Sequence, residues 1–436
     1  MKVLMFGWEF PPHITGGLGT ACYGLTRGLA HHLVDIVFVV PKAYGDEDES
    51  FLKIKQAEGV QLSERIYKNS EFWSRLTYIE VGAKLIPYLS PEEYERIQSE
   101  DFVEKKTDFE SVFSGDFKFS GKYGPTLLEE VSRYALLGSV IASENEFDII
   151  HAHDWLTYKA GIAAKEVSGK PLVVHIHATE YDRTGENVNT IIYEIEREGM
   201  MAADKVIAVS NLTRTTVIEK YGIPPEKVTV VHNAVEPVEM KSDFQYTKGV
   251  DEKIVTFLGR ITYQKGPEYF VEAAAKVLKK YPNVRFVMAG SGDMMHKIIR
   301  RVAQLKIADR FHFAGFLKGD EVPNMFNLSD VYVMPSVSEP FGISPLEAMR
   351  SNVPVIISKQ SGVAEILKHA VTVDFWDVDA MADAIYGLLQ YEGLNKMFRE
   401  HGKAEVESLK WENAAVKVID VYSETLRHFS KTNSAI

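Results

Sequence analysis

The chain has 436 residues, of which 45% are hydrophobic and 25% are charged, a composition typical of globular proteins. That length favours two domains, because a single hydrophobic core rarely serves more than about 250–300 residues. The formal net charge of −12 disfavours nucleic acid and anionic membranes as partners, since both are themselves negatively charged. The single cysteine, Cys22, excludes a disulfide within the chain and fits a reducing compartment, so we expect a cytoplasmic protein.

Residues 1–6 form a short apolar run that lacks the long apolar region and cleavage site of a signal peptide. No stretch reaches the ~18 apolar residues of a membrane span, so no transmembrane segment is expected. Short β-branched runs alternate with amphipathic stretches of helical length, which indicates βαβ units and parallel sheets. A first series of strands is predicted at 3–6, 36–40, 76–81, 149–152, 172–177, 206–209 and 228–231. A second series is predicted at 254–258, 285–289, 310–313, 331–334 and 355–357.

A polar segment without hydrophobic periodicity, residues 236–251, separates the two series and is interpreted as a linker. We therefore predict an α/β fold with a first domain at 1–240, a second at 241–410 and a long terminal helix within 411–436. Residues 44–125 interrupt the first series with charges and many aromatic side chains. We interpret them as an insertion with its own small core; the alternative is a binding or oligomer surface, because aromatic rings offer large flat faces.

Glycines join the first predicted strand to the helix that follows it. They belong to the string TGGLG at 15–19, in which Gly16 and Gly17 would let backbone N–H groups approach an anion at the helix N-terminus. The spacing does not match the dinucleotide-binding fingerprint G-x-G-x-x-G, and a tight turn needs glycines in any case. The string is therefore a weak indication of a phosphate site.

The string HAHDW at 151–155 stands at the end of a predicted strand, where doubly wound sheets place their ligands. Two histidines and an aspartate are residue types that bind metals. However, His151 and His153 share one face of the strand while Asp154 points to the other, so a closed site from these three is awkward. We predict no metal site and interpret Asp154 as a carboxylate that orients a substrate.

A second histidine pair, His175 and His177, ends the strand predicted at 172–177, and an acidic and basic run follows at 180–183. The alternative for either histidine is a buried core residue with satisfied hydrogen bonds. The density of ionisable groups after a buried strand nevertheless favours a functional site.

The start of the second series carries two cations in a short loop. Arg260 follows the strand at 254–258, Lys265 comes five residues later, and Pro267 suits the first position of a helix. Two cations beside a helix N-terminus form a diphosphate site without any metal. The alternative, two solvated charges on a loop, is less attractive in a chain that is acidic as a whole.

The strand at 331–334 leads into the string PSVSEPFGISPLEAM at 335–349. Ser344 and Glu347 have the spacing of a capping box, which gives Glu347 a structural explanation. Capping does not explain Glu339, a carboxylate on the ligand side of the loop. The helix N-terminus also offers the N–H groups of Gly342 and Ile343 to a phosphate or a sugar hydroxyl.

These strings together resemble retaining glycosyltransferases of the GT-B type, in the group of glycosyltransferase family 4 and the glycogen and starch synthases. Glu339 and Glu347 are eight positions apart, as in the E-x₇-E signature of that group. The resemblance covers nearly the whole chain apart from 44–125. The further matching strings are GRITYQKG at 259–266, AGSGD at 289–293, HIHAT at 175–179 and VHNAV at 231–235.

The resemblance implies two Rossmann-like, doubly wound parallel-sheet domains that face each other across a cleft, with the terminal helix crossing back to the first domain. Within the cleft it implies contacts of Arg260 and Lys265 with the donor diphosphate, of Glu339 with the donor sugar and of Glu347 with the ribose. The residues with implied catalytic roles are His177, Asp154, Arg260, Lys265 and Glu339. Nucleotide-sugar binding is implied for Gly16, Gly17, Asn233, Gly342, Ile343, Ser344 and Glu347.

The implied reaction is transfer of a hexose, with glucose as the first expectation, from a nucleotide diphosphate sugar to a saccharide acceptor. UDP-sugar is the first expectation for the donor, ADP- and GDP-sugars are alternatives, and neither a cofactor nor a metal is expected. Ile14 and the string SGV at 361–363 depart from the Lys-x-Gly-Gly-Leu and second Gly-Gly-Leu of bacterial and plant glycogen synthases. The alternatives are a nucleotide-sugar isomerase or epimerase of the same architecture, a transferase with a lipid or small-molecule acceptor, and a non-catalytic binding protein. A homo-oligomer is compatible with the sequence.

Overall fold

The first of two parallel sheets is built from the N-terminal half of the chain. The computed structural model describes residues 1–13, 16–58, 60, 119, 127–235 and 251–433. The strands of the first sheet are β1 (Lys2–Phe6), β2 (Asp35–Val40), β3 (Lys53–Gln56), β4 (Ile149–His153), β5 (Leu172–Ile176), β6 (Lys205–Ala208) and β7 (Val228–Val230). They lie in the order β3-β2-β1-β4-β5-β6-β7, and the order reverses between β1 and β4, where doubly wound sheets bind ligands.

The second sheet repeats this organisation. Its strands are β8 (Lys253–Leu258), β9 (Val284–Ala289), β10 (Phe311–Gly315), β11 (Val331–Met334), β12 (Val355–Ser358) and β13 (Val371–Val373). They are parallel and lie in the order β10-β9-β8-β11-β12-β13, and the strand order reverses between β8 and β11. The two reversal points define two ligand-binding edges, one on each sheet.

Helices cover both faces of both sheets, as parallel strands require. The helices of the first half are α1 (Gly17–His31), α2 (Leu127–Ser143), α3 (Trp155–Ser168), α4 (Glu180–Thr184), α5 (Thr190–Ala202) and α6 (Asn211–Tyr221). Those of the second half are α7 (Pro267–Lys280), α8 (Met295–Gln304), α9 (Glu321–Leu328), α10 (Ser344–Arg350), α11 (Val378–Gln390), α12 (Glu392–Val406) and α13 (Trp411–Asn433). Short 3₁₀ turns lie at Tyr263–Lys265 and Gly362–Glu365.

The alternation of side chains along β1 shows how one strand supplies two cores. Leu4 and Phe6 belong to a buried cluster that includes side chains of α2 and α3, whereas Val3 and Met5 belong to another that includes side chains of α1 and α13. Successive strand residues point to opposite faces, and all four are fully buried. The sheet is therefore the central layer of a three-layer α/β/α unit.

The terminal helix α13 packs on α1, although the two helices are far apart in the sequence. A Cβ atom on Gly24 would lie 2.1 Å from Nε1 of Trp411, and one on Gly28 would lie 2.7 Å from the Trp411 carbonyl oxygen. These two glycines therefore let the backbones approach closely, and the buried Trp411 indole fills the contact. The last helix is thereby held on the first sheet, although it follows the second sheet in sequence.

Most predicted strands coincide with observed ones, and the helix predicted to begin at Pro267 does so. The sequence analysis missed β3 and β13, because β3 is a polar, largely exposed strand and β13 has only three residues. The strand predicted at 76–81, the linker at 236–250 and most of 44–125 lie outside the described residues. No helix in the described part of the chain is both long and apolar enough to cross a bilayer.

Candidate active site

The ligand-binding edge of the second sheet brings together Lys265 and Glu339, which are 74 residues apart in sequence. Lys265 Nζ donates to Glu339 Oε2 at 2.5 Å, and Ser336 Oγ donates to the same oxygen at 3.1 Å. The Glu339 side chain is 7% exposed and that of Lys265 is 22% exposed. The buried Glu339 carboxylate thus orients the Lys265 ammonium group, while the lysine side chain stays partly exposed to solution.

Close backbone packing fixes the loops around this pair. Gly266 has φ of 63°, and a Cβ atom there would lie 2.1 Å from the Pro335 carbonyl oxygen. Gly290, in the string AGSGD, has φ of 136°, and a Cβ atom there would lie 1.9 Å from the Gly259 carbonyl oxygen. Only glycine combines a positive φ with so close a backbone contact. These contacts join the strings at 259–266, 289–293 and 335–349 into one packed rim of the sheet edge.

Arg260 lies on this rim beside two polar partners. Its Nη2 donates to the Gln264 side-chain oxygen at 3.1 Å, and the guanidinium is half-buried. Burial raises the pKa of the nearby Asp293 carboxyl, and the charge of Arg260 opposes that rise. The edge thus holds both cations that the sequence analysis predicted for it.

The loop before α10 corrects one prediction. Ser344 does not cap the helix: Ile343 already has helical dihedral angles and Ser344 is the first helical residue. An N-cap needs an extended conformation to turn its side chain back, so the capping box does not form. Ser344 Oγ instead accepts a hydrogen bond from the Tyr332 hydroxyl at 2.8 Å, and burial raises the pKa of Glu347, an effect that Arg350 opposes.

At the first edge, Asp154 contacts the backbone of the neighbouring strand. Its Oδ1 accepts from the N–H of His177 at 2.6 Å and from that of Ala178 at 3.4 Å. Asp154 is buried and has φ of 60° with ψ of 169°, a backbone conformation that residues other than glycine rarely adopt. In the structure this carboxylate holds the loop that carries His177, and the expected role of Asp154 in orienting a substrate stays a prediction.

His177 is half-buried at the end of β5, and its Nε2 lies 3.0 Å from Nδ1 of His153. Burial lowers the pKa of His177, and the negative charge of Asp154 opposes this shift. Burial also lowers the pKa of His153. Both imidazoles are therefore neutral near pH 7, and His177 serves as a hydrogen-bonding group rather than as a cation.

Contacts between the two halves place the two edges opposite each other. Ser338 Oγ, one residue before Glu339, donates to Asp182 Oδ1 at 2.5 Å. Glu365 accepts from the N–H groups of Asn211 and Leu212 at the start of α6, and it pairs with Nε2 of His232 at 2.9 Å. The sequence analysis noted the charged run at 180–183 but did not single out Asp182, although its spacing from Thr179 in a T-x-x-D capping box was a usable signal.

The other residues predicted to bind the nucleotide sugar differ in their burial. Asn233 is buried next to His232, and Ile343 packs against hydrophobic clusters of both halves. Gly16 and Gly17, at the start of α1, are exposed, and a Cβ atom on either would meet nothing within 4 Å. The structure thus brings Asp154 together with His177 and Lys265 with Glu339, while the glycines face open space.

Comparisons with known proteins agree with this architecture. Residues 115–239 match the family model "Glycosyltransferase Family 4" and residues 239–405 match "Glycosyl transferases group 1". An uncharacterized glycosyltransferase of Methanocaldococcus jannaschii is 30% identical, over 97% of this chain and 98% of that protein. A glycogen synthase of Mycobacterium tuberculosis is 22% identical, over 97% of this chain and 94% of that protein.

Two solved structures share the fold. The sucrose-phosphate synthase of Thermosynechococcus elongatus superposes with a TM-score of 0.70 at 17% identity, covering 98% of this chain and 99% of that one. Anabaena HepE in complex with UDP-glucose superposes with a TM-score of 0.64 at 16% identity, covering 97% of this chain and 100% of that one. Two doubly wound parallel sheets with facing ligand edges define the GT-B class. The chain belongs to the GT-B glycosyltransferases, in the family 4 group.

Proposed function

We propose that this glycosyltransferase moves a hexose, glucose in the first instance, from a UDP-sugar to a saccharide acceptor with retention at the anomeric carbon. The observation that carries the proposal is the Lys265–Glu339 pair, in which a buried carboxylate presents an accessible ammonium group at the sheet edge. In a chain of net charge −12, a cation held this way is suited to an anionic ligand. The departing nucleotide diphosphate is such a ligand.

Leaving-group stabilisation supplies the chemistry. Lys265 and Arg260 would neutralise the charge that develops as the sugar–phosphate bond breaks, together with the N–H groups of Gly342 and Ile343. Preorganised charges of this kind are often the largest contribution to catalysis. In this proposal a metal has no part at the diphosphate, because the two cations take the role that a divalent ion has in other transferases.

Retention is proposed from the E-x₇-E resemblance, and the contacts of Glu339 and Asp154 bear on how it would be achieved. Glu339 accepts from Lys265 and Ser336, and Asp154 accepts from backbone N–H groups. Both are therefore engaged with protein donors, unlike the nucleophile and acid of a retaining glycosidase. Attack from the face of the departing phosphate, which takes the acceptor's proton, fits this arrangement.

The donor and acceptor are proposed by analogy with similar proteins. HepE was solved with UDP-glucose, which supports a UDP-sugar here, and the mycobacterial relative is a glycogen synthase, which supports a glucan acceptor. Ile14 stands where bacterial and plant glycogen synthases carry lysine, so short saccharide acceptors belong in the same screen. We place the reaction in the cytoplasm, in keeping with the single cysteine.

The test compares two lysines after a screen of nucleotide sugars by thermal shift and of glucan, lipid and small-molecule acceptors by product analysis. Lys265→Ala is expected to lower kcat by about 10²–10³-fold, the effect of removing one preorganised charge, while the fold stays intact. The control is Lys276→Ala on α7, whose exposed side chain pairs with Asp379 and which is expected to keep full activity.

Two results would contradict the proposal. Turnover of Lys265→Ala equal to that of the wild type would exclude the proposed role of this cation. A changed free nucleotide sugar formed without any acceptor would show an isomerase or epimerase instead of a transferase.

A further inference from the structure

Four histidines form a two-by-two group on one face of the first sheet. His151 and His153 are two residues apart on β4, and His175 on β5 lies beside His153 in the strand register. The ring centroids of His151 and His153 are 4.2 Å apart, and those of His151 and His175 are 5.4 Å apart. His177 follows at the cleft end, with its ring centroid 4.4 Å from that of His175.

All four rings carry buried nitrogen atoms that have no hydrogen-bond partner within the described part of the chain. They are Nε2 of His151, Nε2 of His153, both ring nitrogens of His175 and Nδ1 of His177. The first three of these residues are at most 2% exposed. Each ring nitrogen is a donor or an acceptor, and leaving one buried and unpaired costs about 1–3 kcal/mol. A ligand that binds several of these nitrogens at once would remove that cost.

The opposite nitrogens of two rings are held by the protein. Nδ1 of His151 lies 2.5 Å from the Tyr422 hydroxyl on α13, and Nδ1 of His153 lies 3.0 Å from Nε2 of His177. Imidazoles that bind a metal through one nitrogen characteristically use the other in such a hydrogen bond, which fixes the ring orientation. The unpartnered Nε2 atoms are thus the ones available for coordination.

We propose that His151, His153 and His175 bind one divalent transition-metal ion, Zn²⁺ or an ion of similar chemistry. One nitrogen from each of the three lies within 4.8 Å of the others. Two nitrogen ligands about 2.1 Å from a shared ion are at most about 4.2 Å apart, so small ring rotations complete the site. Imidazole ligands suit zinc, copper, iron and nickel, whereas magnesium and calcium prefer oxygen.

This site differs from the one that the sequence analysis considered and rejected. Asp154 cannot be the third ligand, because its carboxylate accepts from the backbone of the β5 loop. His175 replaces it from the neighbouring strand. A second group, Cys22 with His153 and His177, also lies within 4.8 Å. In that group His153 and His177 already share a hydrogen bond, although their other ring nitrogens have no partner among the described residues. We assign the ion to the three-histidine group because both ring nitrogens of His175 are unpartnered.

Coordination at this site would fix the protonation of His177. An ion on Nε2 of His153 leaves the proton of that ring on Nδ1, which then donates to Nε2 of His177. His177 consequently carries its own proton on Nδ1, in a single tautomer. The ion thereby positions a residue of the cleft without contacting the donor diphosphate, so the proposed transfer chemistry is unaffected.

The test titrates untagged, full-length protein with Co²⁺ after removal of bound metal with a chelator. Co²⁺ reports low coordination numbers through its visible absorption. We expect one Co²⁺ per chain and a Tm several degrees higher with the ion, because an ion that binds only the folded state stabilises it. His151→Gln and His175→Gln are each expected to weaken Co²⁺ binding at least about tenfold.

Two control variants make the assignment specific. His312→Gln changes an exposed histidine on β10 and should keep one Co²⁺ per chain, as should Cys22→Ser. Substoichiometric binding by the wild type without a change in Tm would overturn the proposal, and this measurement needs no variant to fold. Loss of Co²⁺ in Cys22→Ser with full binding in His151→Gln would overturn it too. Neither outcome depends on sugar transfer, so the proposed function is tested separately.

Discussion

The two sheets end in similar edges, yet the ionisable side chains at these edges differ in burial and in hydrogen bonding. At the second edge, Lys265 and Arg260 remain partly exposed, each beside a side chain that orients it. At the first edge, His153 and Asp154 are buried and bond to other groups of the protein. Behind them, Arg183 is buried between acidic side chains.

This difference separates two tasks that a transferase cleft requires. A buried polar group whose hydrogen bonds are satisfied by the protein holds loops in place and has little capacity left to bind a substrate. A partly exposed cation beside a buried carboxylate can still meet an anion. In the proposed function the second edge therefore binds the donor, and the first positions His177. The following predictions test that division.

The largest effect is expected at Gly266, on the second edge. Gly266→Ala places a Cβ atom 2.1 Å from a carbonyl oxygen at a positive φ, so the backbone that carries Lys265 must shift. We expect a loss of at least about 3 kcal/mol in the free energy of unfolding, measured by urea denaturation, and a large loss of transfer.

Gly169→Ala is the matched control for this change. Gly169 also has a positive φ, 65°, yet a Cβ atom there meets nothing within 4 Å. Only the conformational cost of about 1 kcal/mol remains, and activity should be unaffected. Equal losses of stability and of transfer in the two variants would show that the close backbone contact at Gly266 contributes to neither.

A smaller effect is expected at Asp154, on the first edge. Asp154→Ala leaves the N–H groups of His177 and Ala178 without an acceptor, which should lower the free energy of unfolding by about 2–3 kcal/mol and reduce kcat. Asp154→Asn keeps an acceptor oxygen and should restore most of both. An asparagine variant as inactive as the alanine variant would instead support a direct role of the carboxylate with the acceptor.

The smallest effect concerns Glu196, which is buried against Arg183. Burial raises the pKa of Glu196 to about 7, although Arg183 opposes the rise. Because this pKa lies above that of the unfolded chain, the contribution of Glu196 to stability is full below about pH 4.5 and is lost as the pH rises through about 7. Glu196→Gln should therefore remove a decline of about 2 kcal/mol between pH 5 and pH 8.

Urea denaturation of both proteins across that pH range measures this effect. The free energy of unfolding of the wild type, minus that of Glu196→Gln, should fall as the pH rises. A difference independent of pH would mean that Glu196 is ionised throughout, and that the interior behind the first edge is less isolated from water than the structure shows.

Local sequence was sufficient for much of the fold and for the cations of the site. Apolar runs predicted the buried strands because both faces of a parallel sheet are covered. Pro267 marked a helix start because its ring has no N–H to leave unpaired. Arg260 and Lys265 could be placed between a strand end and a helix start because the apolar run before them and Pro267 after them are both local signals. The edge strand β3 was missed since a polar strand lacks that apolar signature.

The partners of these residues required the tertiary structure. Lys265 meets Glu339 because β8 and β11 are neighbours in the sheet, although 74 residues separate the two side chains. His175 comes to lie beside His153 only through the register of β4 and β5. Residue types and local periodicity are properties of a segment, whereas strand order and register are decided by how all segments pack together. The sequence by itself therefore determined the class of fold and the cations at its edge, and the packing of the sheets decided what each of them contacts.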